Sequence, residues 1–219
     1  MLKALSSGKP LIELQFPPIS NMATAALNEL LDANRAFTRD LMRSLVPKYD
    51  AKDLRVLFPD VGEARLARDV YGDVPFGIGV IPKQQPEFVQ RAGVAVIVNP
   101  GFNISEWINI QNLVSEDSKC TLVTVNADFD KVRGGYYPRL FYPGLHKARD
   151  KVLKRFEEIY YIKSFSNGGT LLRRFPEGWK LFYADKDGTT LIWEGEERPE
   201  FRWVEQQLGR KRMEDLAGR

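Results

Sequence analysis

"VAVIVNPGFN", residues 94–103, decides the fold. A strand with one wet face alternates apolar and polar side chains. Val94 to Val98 do not alternate, so this strand is expected to be buried on both faces, as in a parallel sheet covered by helices. Its exit, "NPGFN" (99–103), turns abruptly polar. Two more runs have the same form: "LRVLF" (54–58) leading into "PDVGEA", and "CTLVTV" (120–125) leading into "NADFDKVRGG" (126–135).

Working outward, "LIELQF" (11–16) reads as a strand stopped by Pro17 and Pro18. A helix is expected from about 22 to 45, with apolar residues every three or four positions and Pro47 ending it. Asp60 stands where an N-cap belongs, with Glu63 three residues on, which opens a short helix. A helix over about 105–115 and a basic helix over about 145–156 separate the later runs. From residue 158 the style changes. "EIYYIKSF", "TLLRRFP", "WKLFYA" and "TTLIWEG" are short strands, with "DKDG" (185–188) as a hairpin turn. A helix over 199–208 and a charged, fraying tail over 209–219 complete the chain. The expected class is α/β: a mostly parallel central sheet flanked by helices, with a C-terminal antiparallel β extension. One domain spans 1–208, its parallel part about 1–157 and its meander with the last helix 158–208.

The balance of 32 Lys+Arg against 29 Asp+Glu is too even to imply a polyanionic partner by itself. The distribution is uneven, however. Residues 131–155 hold eight basic residues and a single acid, Asp150, whereas 177–200 is acidic. One cysteine, Cys120, excludes an internal disulfide and suits a reducing compartment, and its apolar strand argues for a buried, inert thiol. With one histidine, His146, a Cys/His zinc site is out of reach. Neither a metal nor a cofactor is called for. No apolar run is long enough to span a bilayer, so the chain reads as soluble and at most peripheral to a membrane.

Polar exits of parallel strands gather at one edge of a sheet, where ligands of such folds bind. Asp60, Glu63, Asn99, Asn103, Asn126, Asp128, Asp130 and Arg133 are therefore candidate members of one ligand rim. The carboxylates suit acid–base work or cation binding. They equally suit helix capping, turns, and an ion pair of Asp128 or Asp130 with Arg133. A second candidate is a partner surface: Arg139, Lys147, Arg149, Lys151, Lys154 and Arg155 beside Tyr136 and Tyr137, both expected to be partly buried. It fits an acidic protein face or anionic lipid headgroups, with nucleic acid the least favoured partner. A solvated helix face is the bland alternative.

The blocks "LRVLFPDVGEARLARD", "VIVNPGFN", "NADFDKVRGGYYP" and "IYYIKSF…GGTLLRRFPEGWKLF", together with "LIELQFPPI", resemble in order and spacing a domain family of unknown biochemical function. The family occurs in plants, algae and cyanobacteria, and includes the chloroplast low-photosystem-II-accumulation assembly factor. The likeness covers about residues 1–205. It implies a non-enzymatic assembly factor in the cyanobacterial cytoplasm or the chloroplast stroma. Such a factor would meet a thylakoid membrane protein or a photosystem II assembly intermediate at the membrane surface. The family supplies no catalytic residues to transfer. The alternative is a protein or enzyme that binds a small anionic ligand, a nucleotide or sugar phosphate, at the strand ends.

Overall fold

The computed structural model describes residues 1–20, 24–81, 87–114, 119–186 and 188–217. Its elements run α1 (Leu2–Ser6), β1 (Leu11–Gln15), α2 (Leu27–Leu45), β2 (Leu54–Phe58), α3 (Val61–Tyr71), β3 (Gly77–Val80), α4 (Glu87–Gln90), β4 (Val94–Val98), α5 (Ile104–Ile110), β5 (Thr121–Val125), α6 (Asp130–Arg133), α7 (Pro143–Lys151), β6 (Glu157–Ser164), β7 (Gly169–Arg174), β8 (Trp179–Asp185), β9 (Gly188–Gly195) and α8 (Phe201–Ala217). All nine strands form one sheet, in the order β3-β2-β4-β5-β1-β6-β7-β8-β9. Pairings from β3 across to β6 are parallel and those from β6 to β9 antiparallel. The mixed class, with a mostly parallel centre, is the one the residue pattern implied.

Strands β2, β4 and β5 each contribute to both faces, which is why these three runs carry no polar alternation. Val56, Phe58, Val96, Val98, Val123 and Val125 meet α1, α2 and α3 on one side. Leu57, Ala95, Ile97 and Leu122 meet α4, α5, α6 and α7 on the other. The antiparallel part has its own core, in which Tyr161, Leu171, Trp179 and Leu181 pack on Val204 and Leu208 of α8.

Several boundaries differ from the sequence-based expectation. The second helix begins at Leu27, and residues 22 and 23 of the expected span lie outside those described. The helix after β4 spans only Ile104–Ile110 before tightening into a 3-10 turn at Gln111–Leu113, and residue 115 of the expected span lies outside the described residues. The basic helix ends at Lys151, again followed by a 3-10 turn. The expected tail does not fray at 209, because α8 continues to Ala217. Lys211 faces Glu214 and Asp215 across one turn there, the spacing at which opposite charges support a helix. Residues 218 and 219 of that tail lie outside those described. No helix among the described residues is long and apolar enough to cross a membrane.

Candidate functional site

Strands β2, β4 and β5 lie side by side and point the same way, so their exits share one edge of the sheet. Asp60, Asn99 and Asn126 stand at that edge. Asn99, Asn126 and Asp128 all adopt left-handed backbone, with φ near +50°. Asn and Asp tolerate this region because their short polar side chains bond locally. Connections leaving β1 and β2 pass over one face of the sheet, and those leaving β4 and β5 over the other. Such reversals open crevices at strand ends.

Here fold contacts engage most of the rim. Asp60 accepts a hydrogen bond from the Glu63 N–H and caps α3. The reciprocal half of a capping box is absent, because the Glu63 carboxylate pairs with buried Arg35 of α2. Arg35 also grips Asp32, and its carbonyl accepts the Tyr71 hydroxyl at 2.8 Å. Asn126 closes the β5–β1 crevice: its Oδ1 accepts the Phe16 N–H at 2.8 Å, and its Nδ2 donates to Asn34 Oδ1 at 2.7 Å. Asp128 donates its N–H to Gln15 Oε1 at 3.0 Å and pairs through its carboxylate with Lys131 at 2.6 Å. The Asn99 N–H donates to the Val125 carbonyl. Asn103 is exposed at the start of α5 and makes no side-chain cap bond.

Asp130 and Arg133 belong to a different assembly, and neither Asp128 nor Asp130 pairs with Arg133 as the sequence reading offered. Arg133 Nη2 lies 2.7 Å from Glu13 in the middle of β1, and Nη1 lies 2.7 Å from Glu158 on β6. Arg198, just ahead of α8, reaches the same Glu158 at 2.7 Å and also pairs with Asp130. The Tyr161 hydroxyl donates to Asp130 as well. The Arg198 guanidinium stands 5.0 Å from the Tyr161 and Phe201 ring centres and 5.5 Å from that of Trp179, within cation–π range. This network ties β1, β6, α6 and the start of α8 together.

Glu13 is its most constrained member. It is fully buried, and neither of its oxygens accepts a well-aligned hydrogen bond among the described residues. Burial pushes its carboxyl up to about 7, against the pull of Arg133 and with a further push from Glu158. The Tyr161 hydroxyl is raised by burial and then by Asp130, so it stays protonated. Burial also raises the Cys120 thiol, to about 12, which agrees with an inert cysteine. A cavity of about 580 Å3 adjoins the network, lined by Asp130, Arg133, Arg198, Phe201 and Arg202 among others.

The segment between α6 and α7 has a different character. Tyr137 is half-buried, stacked edge-on against Trp107, Tyr136 and Tyr142, and its carbonyl lies 2.7 Å from His146 Nε2. Tyr136 does not pack down as expected: it is 71% exposed, with Leu140 at 84% and Phe141 at 73%. Gly135, at φ +77°, turns the chain just before it and leaves its ring outside the core. Arg139, Lys147, Lys151, Lys154 and Arg155 are all exposed. Arg149 is half-buried and folded onto neighbouring Asp150.

Sequence reasoning missed Glu13, Arg35, Glu158, Tyr161 and Arg198. Only Glu13 carried a signal, as an acid inside a short apolar run. A family model described as a domain of unknown function (DUF1995) matches residues 1–206. Comparison with curated proteins returned no match, and neither did comparison with solved structures.

Proposed function

Since this chain belongs to the DUF1995 family, we propose that it is a non-enzymatic assembly factor for photosynthetic membrane complexes of the photosystem II type, binding an acidic protein partner at the thylakoid surface. One observation carries the reading: Tyr136, Leu140 and Phe141 are exposed on the segment that leads into α7, and Arg139, Lys147, Lys151, Lys154 and Arg155 of the same stretch of chain are exposed too. Large exposed apolar side chains grouped on one loop mark an interaction surface, and an excess of exposed cations selects acidic partners and speeds encounter. The photosynthetic setting comes from the block resemblance to the family of the low-photosystem-II-accumulation factor. Both compartments it implies, cyanobacterial cytoplasm and chloroplast stroma, put the chain beside thylakoids.

The test is co-sedimentation with thylakoid membranes. Replacing Lys147, Lys151 and Lys154 together with Glu is expected to release the chain, and rising salt to weaken the unmodified protein's binding. Unchanged sedimentation of the triple variant refutes the reading.

A second reading, a small anionic ligand such as a nucleotide or sugar phosphate, is favoured by the cavity beside Asp130 and Arg133, to which Arg198 and Arg202 also contribute. Two of those arginines already face carboxylates, which lowers their appetite for another anion. A thermal-shift screen of nucleotides, sugar phosphates and divalent cations decides it, and a flat response across the panel eliminates it.

A further inference from the structure

On the opposite face of the sheet a cavity of about 570 Å3 opens between α1, α2 and the turn after β7. Leu14 of β1 and Ile159 of β6, both nearly fully buried, line its inner part. Phe37 and Leu41 of α2 and Phe175 add further apolar wall. Two cations, Lys3 and Arg174, also line it, and both are exposed. Neither makes an ion pair among the described residues. The acid at the same opening, Glu177, is held by Lys180 at 2.8 Å, and that hydrogen bond keeps its carboxyl below the usual range. The mouth is therefore net positive and the interior apolar.

A volume of a few hundred Å3, predominantly apolar walls and a few polar groups at one end are the attributes of small-molecule sites. We propose that this cavity binds an amphiphilic anion, a long acyl or prenyl chain ending in a carboxylate or a phosphate. The chain lies along Leu14, Leu41 and Ile159, and the head group meets Lys3 and Arg174. The site is independent of the basic surface, which lies with α6 and α7 across the sheet.

Titration of the purified chain with cis-parinaric acid, a fluorescent long-chain fatty acid, tests the proposal. Saturable binding is expected, with displacement by palmitate or by farnesyl diphosphate. Palmitate displacing the probe assigns a carboxylate head, farnesyl diphosphate displacing it assigns a phosphate, and either upholds the site. Hexadecanol, which lacks the charge, should compete about tenfold less well. Ser44 lines the cavity on the exposed side of α2, so Ser44→Trp fills the space without touching the core. That variant should weaken the probe about tenfold or more at unchanged melting temperature. Lys3→Glu combined with Arg174→Glu should weaken palmitate or farnesyl diphosphate while leaving hexadecanol as it was. Absence of saturable binding overturns the proposal. So does binding that survives Ser44→Trp but is lost in Leu140→Asp, which would move the probe to the exposed loop.

Discussion

Two regions of this molecule are rich in charge and aromatic rings, and they use them in opposite ways. In the network of Glu13, Asp130, Arg133, Glu158, Tyr161 and Arg198, every cation faces a carboxylate, and rings enclose Arg198. Across residues 136–155, Lys147, Lys151 and Lys154 stand exposed, as do Leu140 and Phe141. The same residue types thus close the fold in one place and leave an unmatched surface in the other. The difference lies in partners, and partners are a property of tertiary placement. A charged group whose partners lie inside the chain is bound to stability. One without them is available to another molecule.

Breaking the network should expose this division most clearly. Arg198→Ala leaves Asp130 and Glu158 short of a counter-charge and removes a side chain packed among three rings. Removing one partner of a largely buried ion network typically costs about 3–5 kcal/mol. Urea unfolding should show that loss, and hydrogen exchange should place the first opening in β6–β9. Membrane sedimentation per folded molecule should stay as it was. Glu13→Gln sharpens the same contrast through pH. The folded carboxyl titrates at about 7 against 4.5 for the unfolded group. Between those values the folded chain therefore holds a proton that the unfolded chain has released. Stability falls as pH rises across that window and levels off above it, by about 3 kcal/mol in total. The Gln variant should match the parent near pH 5 and exceed it at pH 8, as read from urea midpoints. A parent midpoint that is flat from pH 5 to 8 would show that Glu13 is ionised throughout. Asn126→Ala is the smaller break. It leaves the Phe16 N–H and the Asn34 side chain without their partner and should cost about 2 kcal/mol by the same measurement.

The three central strands and the shared edge of their exits were legible because a doubly buried strand announces itself as an unbroken apolar run. Val94–Val98 is the clearest case. β3 escaped that reading because "GIGV" has two glycines in four residues and so lacks an unbroken apolar run. Its glycines leave room for neighbours: a Cβ at Gly77 would stand 2.8 Å from the Arg55 side chain, and one at Gly79 would stand 3.1 Å from Phe88. The rim's location was readable, and the pairings within it were not. Glu13 sits in Leu-Ile-Glu-Leu, which reads equally as a strand with one wet face, and Arg198 reaches Asp130 and Glu158 only after the meander has folded back. The exposure of Tyr136 was hidden for a related reason. A dense aromatic stretch suggests core, and nothing local says that Tyr137 alone packs against Trp107.

The smallest effect on stability should accompany the largest effect on binding. Leu140 and Phe141 are mostly in water, so replacing both with Asp removes little buried area and should change the unfolding free energy by less than about 0.5 kcal/mol. The same change puts two negative charges on a segment rich in exposed cations and removes its exposed apolar side chains. If an acidic partner docks there, both contributions to recognition are lost, and the double variant should remain in the supernatant with thylakoid membranes at any salt concentration. The Lys-to-Glu triple variant changes charge alone, and the apolar contact it retains should strengthen as added salt screens the repulsion. Partial recovery of that variant at high salt, with none for Leu140→Asp/Phe141→Asp, would separate the apolar contribution from the electrostatic one. Equal sedimentation of both variants with the parent would leave the exposed side chains of 136–155 as solvated surface, and the contrast between the two charged regions would then concern stability alone.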